Sequence, residues 1–311
     1  MVTPVRIIVT ICLIVVLCAC PAGNIDTHPY RVGVLENGSL DEASGLAASR
    51  IHPDILWALN DSGSEPVLYA ITTTGADSGR IAITGADNRD WEDLAAFTYR
   101  RKSYLAIGDV GDNTARRDDC TIYVIEEPAV YGKQARNRLK VKPAWQIAFR
   151  YEDGPRDCEA IAVDTTGQRI LLLSKWAVPP VLYTLPLFPR KDRNDDIARR
   201  LKAISNIKNT APGADHWADL LKQYLYRQKP TGMDISPDNR LLAILTYGYI
   251  FLYRRPAGHN WDTALNRPPE TLSLPPLEQA ESICFGHTGR NLFVTSERRP
   301  APLLNIDLES F

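Results

Sequence analysis

The sequence has almost no net charge and no excess of either sign. Its 36 Lys and Arg residues face 37 Asp and Glu residues, for a formal net charge of −1. A dedicated nucleic-acid surface normally needs a basic stripe. The densest basic stretch in the middle of the chain, "RKDR" at residues 190–193, is interrupted by an acid. Charge therefore argues against a nucleic-acid partner and predicts a solvated loop at this stretch.

Several sequence patterns of catalysis are also absent. The sequence contains no G-x-S-x-G nucleophile elbow, no phosphate-binding loop and no dinucleotide-binding glycine fingerprint. Its five histidines lie in predicted loops or away from the repeated stretches described below. These absences leave acidic side chains as the main candidates for chemistry.

Cysteine is sparse, and three of the six cysteines fall within the first twenty residues. The other three, Cys120, Cys158 and Cys284, show no C-x-x-C spacing, which argues against a structural zinc site. An odd number also leaves at least one thiol without an intramolecular partner. Cys284 lies inside a strand-like run, so we expect it to be a buried free thiol.

The N-terminal segment has the pattern of an export signal. One Arg precedes an apolar run over residues 7–20, which is short for a permanent membrane span. The end of this run, "LCAC", resembles the bacterial lipobox, which implies cleavage before Cys20 and lipid attachment to its thiol. A simple secreted signal and a retained membrane helix are the alternatives. Pro21 is not the Asp associated with inner-membrane retention, which favours the periplasmic face of the outer membrane.

Short strand-like runs separated by turn residues fill the rest of the chain, for example "ILWALND", "SYLAIGD", "RILLLSK" and "NLFVTSE". They predict an all-β sandwich, barrel or propeller. Five related stretches, "ASGLAAS", "WEDLAAF", "CEAIAVD", "GMDISPD" and "AESICFG", decide among these. Aligned on their Leu or Ile, they make five positions equivalent, with spacings of 48, 67, 74 and 48 residues: Ser44, Glu92, Glu159, Met233 and Glu281.

These spacings match propeller blades with loops of variable length. Four units offer four strands each, the fifth offers three, and residues 30–35 can supply its missing strand. The sequence therefore predicts a signal peptide at 1–19, a lipidated linker at 20–29 and a monomeric propeller domain of five four-stranded blades at 30–311. Residues 215–228 have the apolar spacing of a short inserted helix.

The repeats also predict a site. In a propeller, the start of each innermost strand and the end of the next strand converge on one face of the channel. Nine carboxylates would meet there and repel one another unless cations or Lys175 compensate them. Turn chemistry alone is the simpler alternative for the Asp and Asn residues. The nine are Asp61, Glu92, Asp93, Asp109, Asp112, Glu159, Asp234, Glu281 and Glu297.

Calcium suits such a face because Ca²⁺ takes six to eight oxygen ligands. We divide the predicted site into metal ligands and ligand-binding residues. The predicted metal ligands are Glu92, Asp93, Asp109, Asp112, Asn113 and Glu159. The predicted ligand-binding residues are Asp61, Lys175, Tyr247, Glu281 and Glu297. The same topology brings Cys120 and Cys158 to one rim in neighbouring blades. A disulfide bond between them and two free thiols are the alternatives.

The stretches "LDEASGLAASRIHPDILWALNDSG", "DWEDLA", "YLAIGDVGDN", "DCEAIAVD", "TGMDISPD" and "QAESICFGHTGRNLFVTSE" resemble a group of uncharacterised bacterial exported β-propeller proteins. More distantly, the layout is similar to calcium-dependent propeller hydrolases of the phytase, gluconolactonase and apyrase types. This resemblance implies a channel metal near Glu92, Glu159 and Glu281, whereas Ser44 and Met233 depart from the acidic pattern. The leading hypothesis is a lipid-anchored propeller that binds a small-molecule or protein ligand at this site. The alternatives are a calcium-dependent phosphoester or lactone hydrolase, with Glu92 or Glu159 as catalytic base, and an interaction scaffold.

Overall fold

The structure is a computed structural model that describes residues 30–129, 139–190, 196–207 and 229–308. Within these ranges the chain forms 21 β-strands and one helix of four residues. None of the described helical segments has the length and apolar character needed to cross a membrane.

Twenty of these strands form five antiparallel units of four, which are the blades. The innermost strands are β2 (Ala43–Ala48), β6 (Trp91–Tyr99), β11 (Cys158–Asp164), β15 (Pro230–Ile235) and β19 (Ala280–Phe285). The second strands are β3 (Ile55–Asn60), β7 (Lys102–Asp109), β12 (Arg169–Ser174), β16 (Leu241–Thr246) and β20 (Asn291–Ser296). The third strands are β4 (Val67–Thr72), β8 (Cys120–Glu126), β13 (Val181–Pro186), β17 (Tyr249–Arg254) and β21 (Pro302–Asp307). The outer strands are β5 (Asp77–Ile83), β10 (Trp145–Tyr151), β14 (Asp196–Ala203), β18 (Glu270–Ser273) and β1 (Tyr30–Val34).

The blades close into a ring. Each innermost strand contacts the innermost strands of the two neighbouring blades, and β19 of blade five contacts β2 of blade one. Strand β1 pairs antiparallel with β21, so the N-terminal strand completes the last blade. The prediction of a five-bladed, all-β propeller closed by an N-terminal strand is confirmed.

Two outer-strand pairings were not predicted. A short strand, β9 (Leu139–Val141), adds to the edge of blade one by parallel pairing with β5. In addition, β10 and β14 pair in parallel and join blades two and three into one sheet of eight strands. Both pairings cover backbone edges that would otherwise remain available for association with another chain.

The hydrophobic core lies between the blades. Strands β2, β11, β15 and β19 are buried along their whole length, as expected for strands covered on both faces. Trp57 of blade one packs in the same cluster as Leu94 of blade two, and Leu171 of blade three packs with Phe251 of blade four. Burying a side chain of this size contributes about 1.5–3 kcal/mol, so the interblade contacts hold the ring together.

The described helix, α1 (Trp261–Ala264), lies on blade four. The Asn260 side chain accepts a hydrogen bond of 3.0 Å from the Thr263 N–H and caps its start. Trp261 is fully buried in the cluster between blades three and four. The helix predicted at residues 215–228 and the proposed signal segment lie outside the described residues.

Candidate functional site

A β-bulge occurs near the start of every innermost strand. In each blade the pairing with the second strand skips one residue, at the same place in the ring. The skipped residue is left without a partner in the ladder, and a bulge of this kind can re-aim its side chain. The five skipped residues are Ser44, Glu92, Glu159, Thr231 and Glu281.

The bulges correct one sequence equivalence. Thr231, not Met233, occupies the position of Glu92 in blade four, because the bulge of β15 lies between Pro230 and Gly232. Met233 instead takes the place of the apolar residue two positions further on and is fully buried in the interblade core. The sequence alignment matched the Leu or Ile of each repeat. In blade four this match lies two residues after the position that the bulge identifies.

In blades one, three and five, the residue that follows the second strand meets the same rim. Its backbone N–H donates to the carbonyl oxygen two residues before the bulge: Asp61 to Glu42 at 3.0 Å, and Lys175 to Asp157 at 3.2 Å. Glu297 donates in the same way to Gln279 at 3.1 Å. Strand starts and second-strand ends therefore converge on one face, as the topology predicted.

These positions surround a cavity of about 280 Å³ at the mouth of the channel, which we call the mouth cavity. Eight predicted site residues line it: Asp61, Glu92, Asn113, Glu159, Lys175, Tyr247, Glu281 and Glu297. Four further lining residues were not predicted: Ser44, Trp176, Lys229 and Gln279.

Glu92 is the central carboxylate of the mouth cavity. Its side chain is 4% exposed, and within the described chain it makes no hydrogen bond or ion pair. It belongs to two groups whose carboxylate oxygens lie within 4.8 Å of one another, one with Asp61 and Asp90 and one with Asp157 and Glu159. Burial, followed by these neighbouring negative charges, raises the pKa of Glu92 well above its ordinary value.

Two neighbouring carboxylates, those of Glu159 and Glu281, have partners. Lys175 forms an ion pair with Glu159, and the Tyr247 hydroxyl donates to Glu281 at 2.9 Å. Burial raises the pKa of Glu281 to about 7, although Lys175 and Tyr247 oppose the shift. Burial alone would lower the pKa of Lys175, but Glu159 and Glu281 outweigh it and raise the pKa. The cation therefore remains charged inside the cavity.

Asp157 is fixed by two donors. The Trp176 indole N–H donates to Asp157 Oδ2 at 2.6 Å, and the Asp112 backbone N–H donates to Asp157 Oδ1 at 2.8 Å. The Trp176 ring in turn lies under the Lys229 ammonium, 3.1 Å from the ring centroid. These contacts hold Asp157 beside Glu92 and leave the indole 53% exposed at the rim.

A glycine is required beside this cluster. A Cβ atom at Gly111 would lie 2.2 Å from Glu92 Oε1 and 2.6 Å from Asp90 Oδ2. Burial, followed by the charge of Asp61, raises the pKa of Asp90 to about 6. The loop of residues 108–113, "GDVGDN", thus brings its backbone against two carboxylates.

Three predicted metal ligands lie outside the mouth cavity. Asp93 is fully buried and accepts backbone N–H groups from Leu94 at 2.8 Å, Ile161 at 2.8 Å and Met233 at 3.3 Å. It therefore connects blades two, three and four across the inner ring. Asp93 follows Glu92 directly in the strand, and because successive side chains of a strand point to opposite faces, it points away from the mouth.

Asp109 and Asp112 organise the loop that follows β7. Asp109 forms an ion pair of 2.8 Å with Arg117. Asp112 accepts backbone N–H groups from Arg116 at 2.9 Å and Arg117 at 2.7 Å. Their oxygens are thus committed to loop structure, and the predicted ligand role is not supported for either residue. Asp234 likewise accepts the Phe285 N–H at 2.8 Å and lies away from the cavity.

Sequence reasoning missed Asp90 and Asp157 as members of the acidic cluster. Both stand two residues before a glutamate, in the Asp-x-Glu pattern shared by residues 90–92 and 157–159. That repeated pattern was the available signal.

The disulfide bond considered between Cys120 and Cys158 is not formed. Cys120 and Cys158 are both free and buried in one hydrophobic cluster between blades two and three. Burial raises the pKa of the Cys120 thiol to about 12, which keeps it protonated. Cys284 is a buried free thiol, as predicted.

The donor set of the mouth cavity fits a hard divalent cation. Five carboxylates, from Asp61, Asp90, Glu92, Asp157 and Glu159, supply oxygen atoms, and no thiol or imidazole is among them. Oxygen-only sites of this kind suit Ca²⁺ or Mg²⁺ rather than zinc or copper. The arrangement can hold a cation at the channel mouth with open cavity on one side.

No protein-family model matches the chain, and no curated protein matches it either. Its structural neighbours are β-propeller proteins. The RRP9 WD40 repeats are 12% identical, over 85% of this chain and 67% of that one, with a TM-score of 0.39. A nidogen/laminin complex is 14% identical, over 82% and 72%, with a TM-score of 0.43. A PQQ-bound aldose sugar dehydrogenase from Streptomyces coelicolor is 10% identical, over 90% and 98%, with a TM-score of 0.45.

Likenesses at this level say nothing about what this chain binds. The propeller assignment rests on the closed ring of sheets described above. The chain is a five-bladed β-propeller with a buried acidic cluster at one mouth of its channel.

Proposed function

We propose that this protein is a lipid-anchored propeller of the cell envelope whose mouth cavity binds Ca²⁺ and, through the bound ion, a ligand. The observation that carries the proposal is Glu92, a buried carboxylate without a hydrogen-bond partner in the described chain that faces four other carboxylates. Burying an isolated charge is costly unless it is paired or coordinates a metal. A cation removes that cost.

Calcium is favoured over magnesium by the number and placement of the donors. Ca²⁺ accepts six to eight oxygens in a flexible arrangement, whereas Mg²⁺ needs near-octahedral geometry and keeps several waters. The cluster offers five carboxylates, partly buried, on loops and strand starts from three blades.

Thermal unfolding with calcium and with chelator tests the metal proposal. For a site with a Kd of about 10 µM, 1 mM free Ca²⁺ stabilises the native state by about 2.7 kcal/mol, which corresponds to a rise in Tm of about 5–10 °C. We expect Glu92→Gln to remove most of this rise. Glu126→Gln, an exposed residue paired with Lys102, is the matched control and keeps it. An equal calcium response in Glu92→Gln and the wild type would refute the proposed site.

A calcium-dependent hydrolase is the second candidate. It is favoured by Glu281, whose pKa of about 7 suits a general base at neutral pH, and by Glu159, which belongs to the cation cluster itself. A bound cation would polarise a phosphoester or lactone and activate water. A screen with generic phosphoester and lactone substrates, comparing the wild type with Glu159→Gln, separates this function from binding alone. Substrate turnover that requires both calcium and Glu159 would support the hydrolase function.

A propeller that neither responds to calcium nor turns over any substrate is an interaction scaffold. That result would leave the acidic cluster as a structural feature of the ring and would end both proposals above.

The envelope location is proposed from residues 1–20, which lie outside the described ranges. Lipid attachment to Cys20 predicts incorporation of labelled palmitate and recovery of the protein with membranes. Cys20→Ser should abolish the labelling. Membrane recovery of an unlabelled wild-type protein would instead indicate a retained membrane helix.

A further inference from the structure

A second cavity lies at the rim opposite the mouth cavity, between blades three and four. It has a volume of about 610 Å³ and is formed around the end of β11, the β15–β16 turn and the loop before α1. We call it the lower cavity. Three arginines line it, Arg169, Arg240 and Arg255, against two carboxylates, Asp164 and Asp238.

One of these arginines forms ion pairs with two carboxylates. Arg169 bonds Asp164 Oδ2 at 3.0 Å through Nε and Asp262 Oδ1 at 3.0 Å through Nη2. This leaves the charges of Arg240 and Arg255 to be explained.

Arg255 is held in place without an acidic partner in the described chain. Its Nε donates to the Asn239 carbonyl oxygen at 2.8 Å and its Nη2 to Thr166 Oγ1 at 3.3 Å. Its guanidinium also lies over the buried Trp261 ring, 5.1 Å from the centroid. An arginine fixed in this way presents its charge to a ligand with little loss of side-chain freedom on binding.

Arg240 has only a long, exposed ion pair to offset its charge within the described chain. Its side chain is 73% exposed, and its Nε lies 3.9 Å from Asp238 Oδ2. An exposed pair at that distance contributes little.

The two arginines face each other across neighbouring strands. The Arg255 N–H donates to the Arg240 carbonyl oxygen at 2.7 Å, directly beyond the pair formed by Leu241 and Arg254. Residues opposite each other in an antiparallel pair point to the same side, and like charges in that position destabilise the sheet.

The other blades do not have this arrangement. The same backbone hydrogen bond, between the start of the second strand and the end of the third, joins residues that do not both carry the same charge. These pairs are Asp54 with Thr73, Ser103 with Glu127, Gln168 with Leu187 and Arg290 with Leu308. Within the described chain, blade four alone places two like charges there, and it does so at the wall of a cavity.

We propose that the lower cavity binds a small organic molecule that carries an oxyanion, a phosphate or a carboxylate, between Arg240 and Arg255. Both groups accept the paired N–H donors of guanidinium. The cavity volume lies in the range of small-molecule pockets and leaves room for an organic portion beyond the anion. This site is separate from the mouth cavity and does not depend on calcium.

Anion-dependent thermal stability of the full chain tests the proposal. Tm is measured with increasing inorganic phosphate, acetate or chloride at constant ionic strength, in buffer without divalent cations. We expect phosphate or acetate to raise Tm more than chloride does, and the larger response identifies the anionic group. In Arg240→Gln the apparent affinity falls about tenfold, the effect of losing one charge-assisted hydrogen bond, and Arg240→Glu abolishes the response.

Arg290→Gln is the matched control. Arg290 is the exposed blade-five counterpart of Arg240, and the residue opposite it is Leu308. The Tm of the Arg290→Gln variant should rise with anion concentration as that of the wild type does. Equal responses to all three anions, or an unchanged response in Arg240→Gln, would overturn the proposal.

Discussion

At the scale of single residues, the mouth cavity is governed by the cost of burying carboxylates. Burial is the largest cause of the raised pKa values of Glu92, Asp90 and Glu281. Lys175 compensates Glu159 and part of Glu281, but it does not contact Glu92 by an ion pair. Because these carboxylates bind protons or cations in the native state, the free energy of unfolding depends on pH and on cation concentration.

The first prediction concerns pH in the absence of metal. Glu281 has a pKa of about 7 in the native state against an ordinary value of 4.5. The native state therefore binds more protons between these values, and stability falls as pH rises through that window, by up to about 3 kcal/mol for this group. Asp90 and Asp234, each with a pKa of about 6, act in the same direction.

We therefore expect Tm in EDTA to fall between pH 5 and pH 7.5, measured by calorimetry. Excess Ca²⁺ should flatten or reverse the fall, because the ion binds the ionised carboxylates. Glu281→Gln should reduce the slope. A Tm in EDTA that is level or rises over this range would show that these carboxylates are already ionised and compensated.

At the scale of elements, the bulge at the start of each innermost strand determines which side chains face the mouth. Glu92 is skipped in the ladder and enters the cavity, whereas its neighbour Asp93 bonds backbone N–H groups of the next two blades. The loop after β7 completes the arrangement, since Gly111 packs against Glu92 and Asp90.

The second prediction tests this loop. Gly111→Ala places a Cβ atom 2.2 Å from Glu92 Oε1, so the loop or the carboxylates must move. We expect a loss of about 1–3 kcal/mol in the free energy of unfolding and weaker calcium binding, measured by denaturation and calorimetric titration.

Gly38→Ala is its control, because a Cβ at Gly38 meets nothing closer than 3.8 Å. It should change the free energy of unfolding by less than about 0.5 kcal/mol. Unchanged calcium affinity in Gly111→Ala would show that the loop does not shape the cluster.

At the scale of the whole molecule, the ring depends on strands from both ends of the chain. Strand β1 pairs with β21 and gives blade five its fourth strand. The backbone of Gly33 lies against Thr74 of blade one, where a Cβ atom would be 1.8 Å from the Thr74 carbonyl oxygen. The N-terminal strand thus connects the last blade to the first.

The third prediction is the effect of deleting residues 30–34. Loss of β1 exposes the hydrogen-bonding edge of β21, and an exposed edge strand associates with other chains. We expect a marked fall in Tm and concentration-dependent oligomers in light scattering. A variant that stays monomeric at wild-type stability would show that closure does not depend on β1.

The sequence by itself determined the blade count, the closing strand and the face on which the acids gather. These follow from local information: strand-like runs of similar length, turn residues between them and a repeated stretch at regular spacing. Glu92, Glu159 and Glu281 were correctly placed at one mouth because they recur at the same point of the repeat.

Only the tertiary structure decided which side chains enter the cavity. The bulge aims the skipped residue of each innermost strand at the mouth, which put Thr231 in the place assigned to Met233. Successive side chains of a strand point to opposite faces, which separated Asp93 from Glu92. The partnership of Asp90 and Asp157 with Glu92, and the facing arginines of the lower cavity, arise from how strands and blades pack together. Those contacts join residues far apart along the chain, and no local pattern specifies their distances.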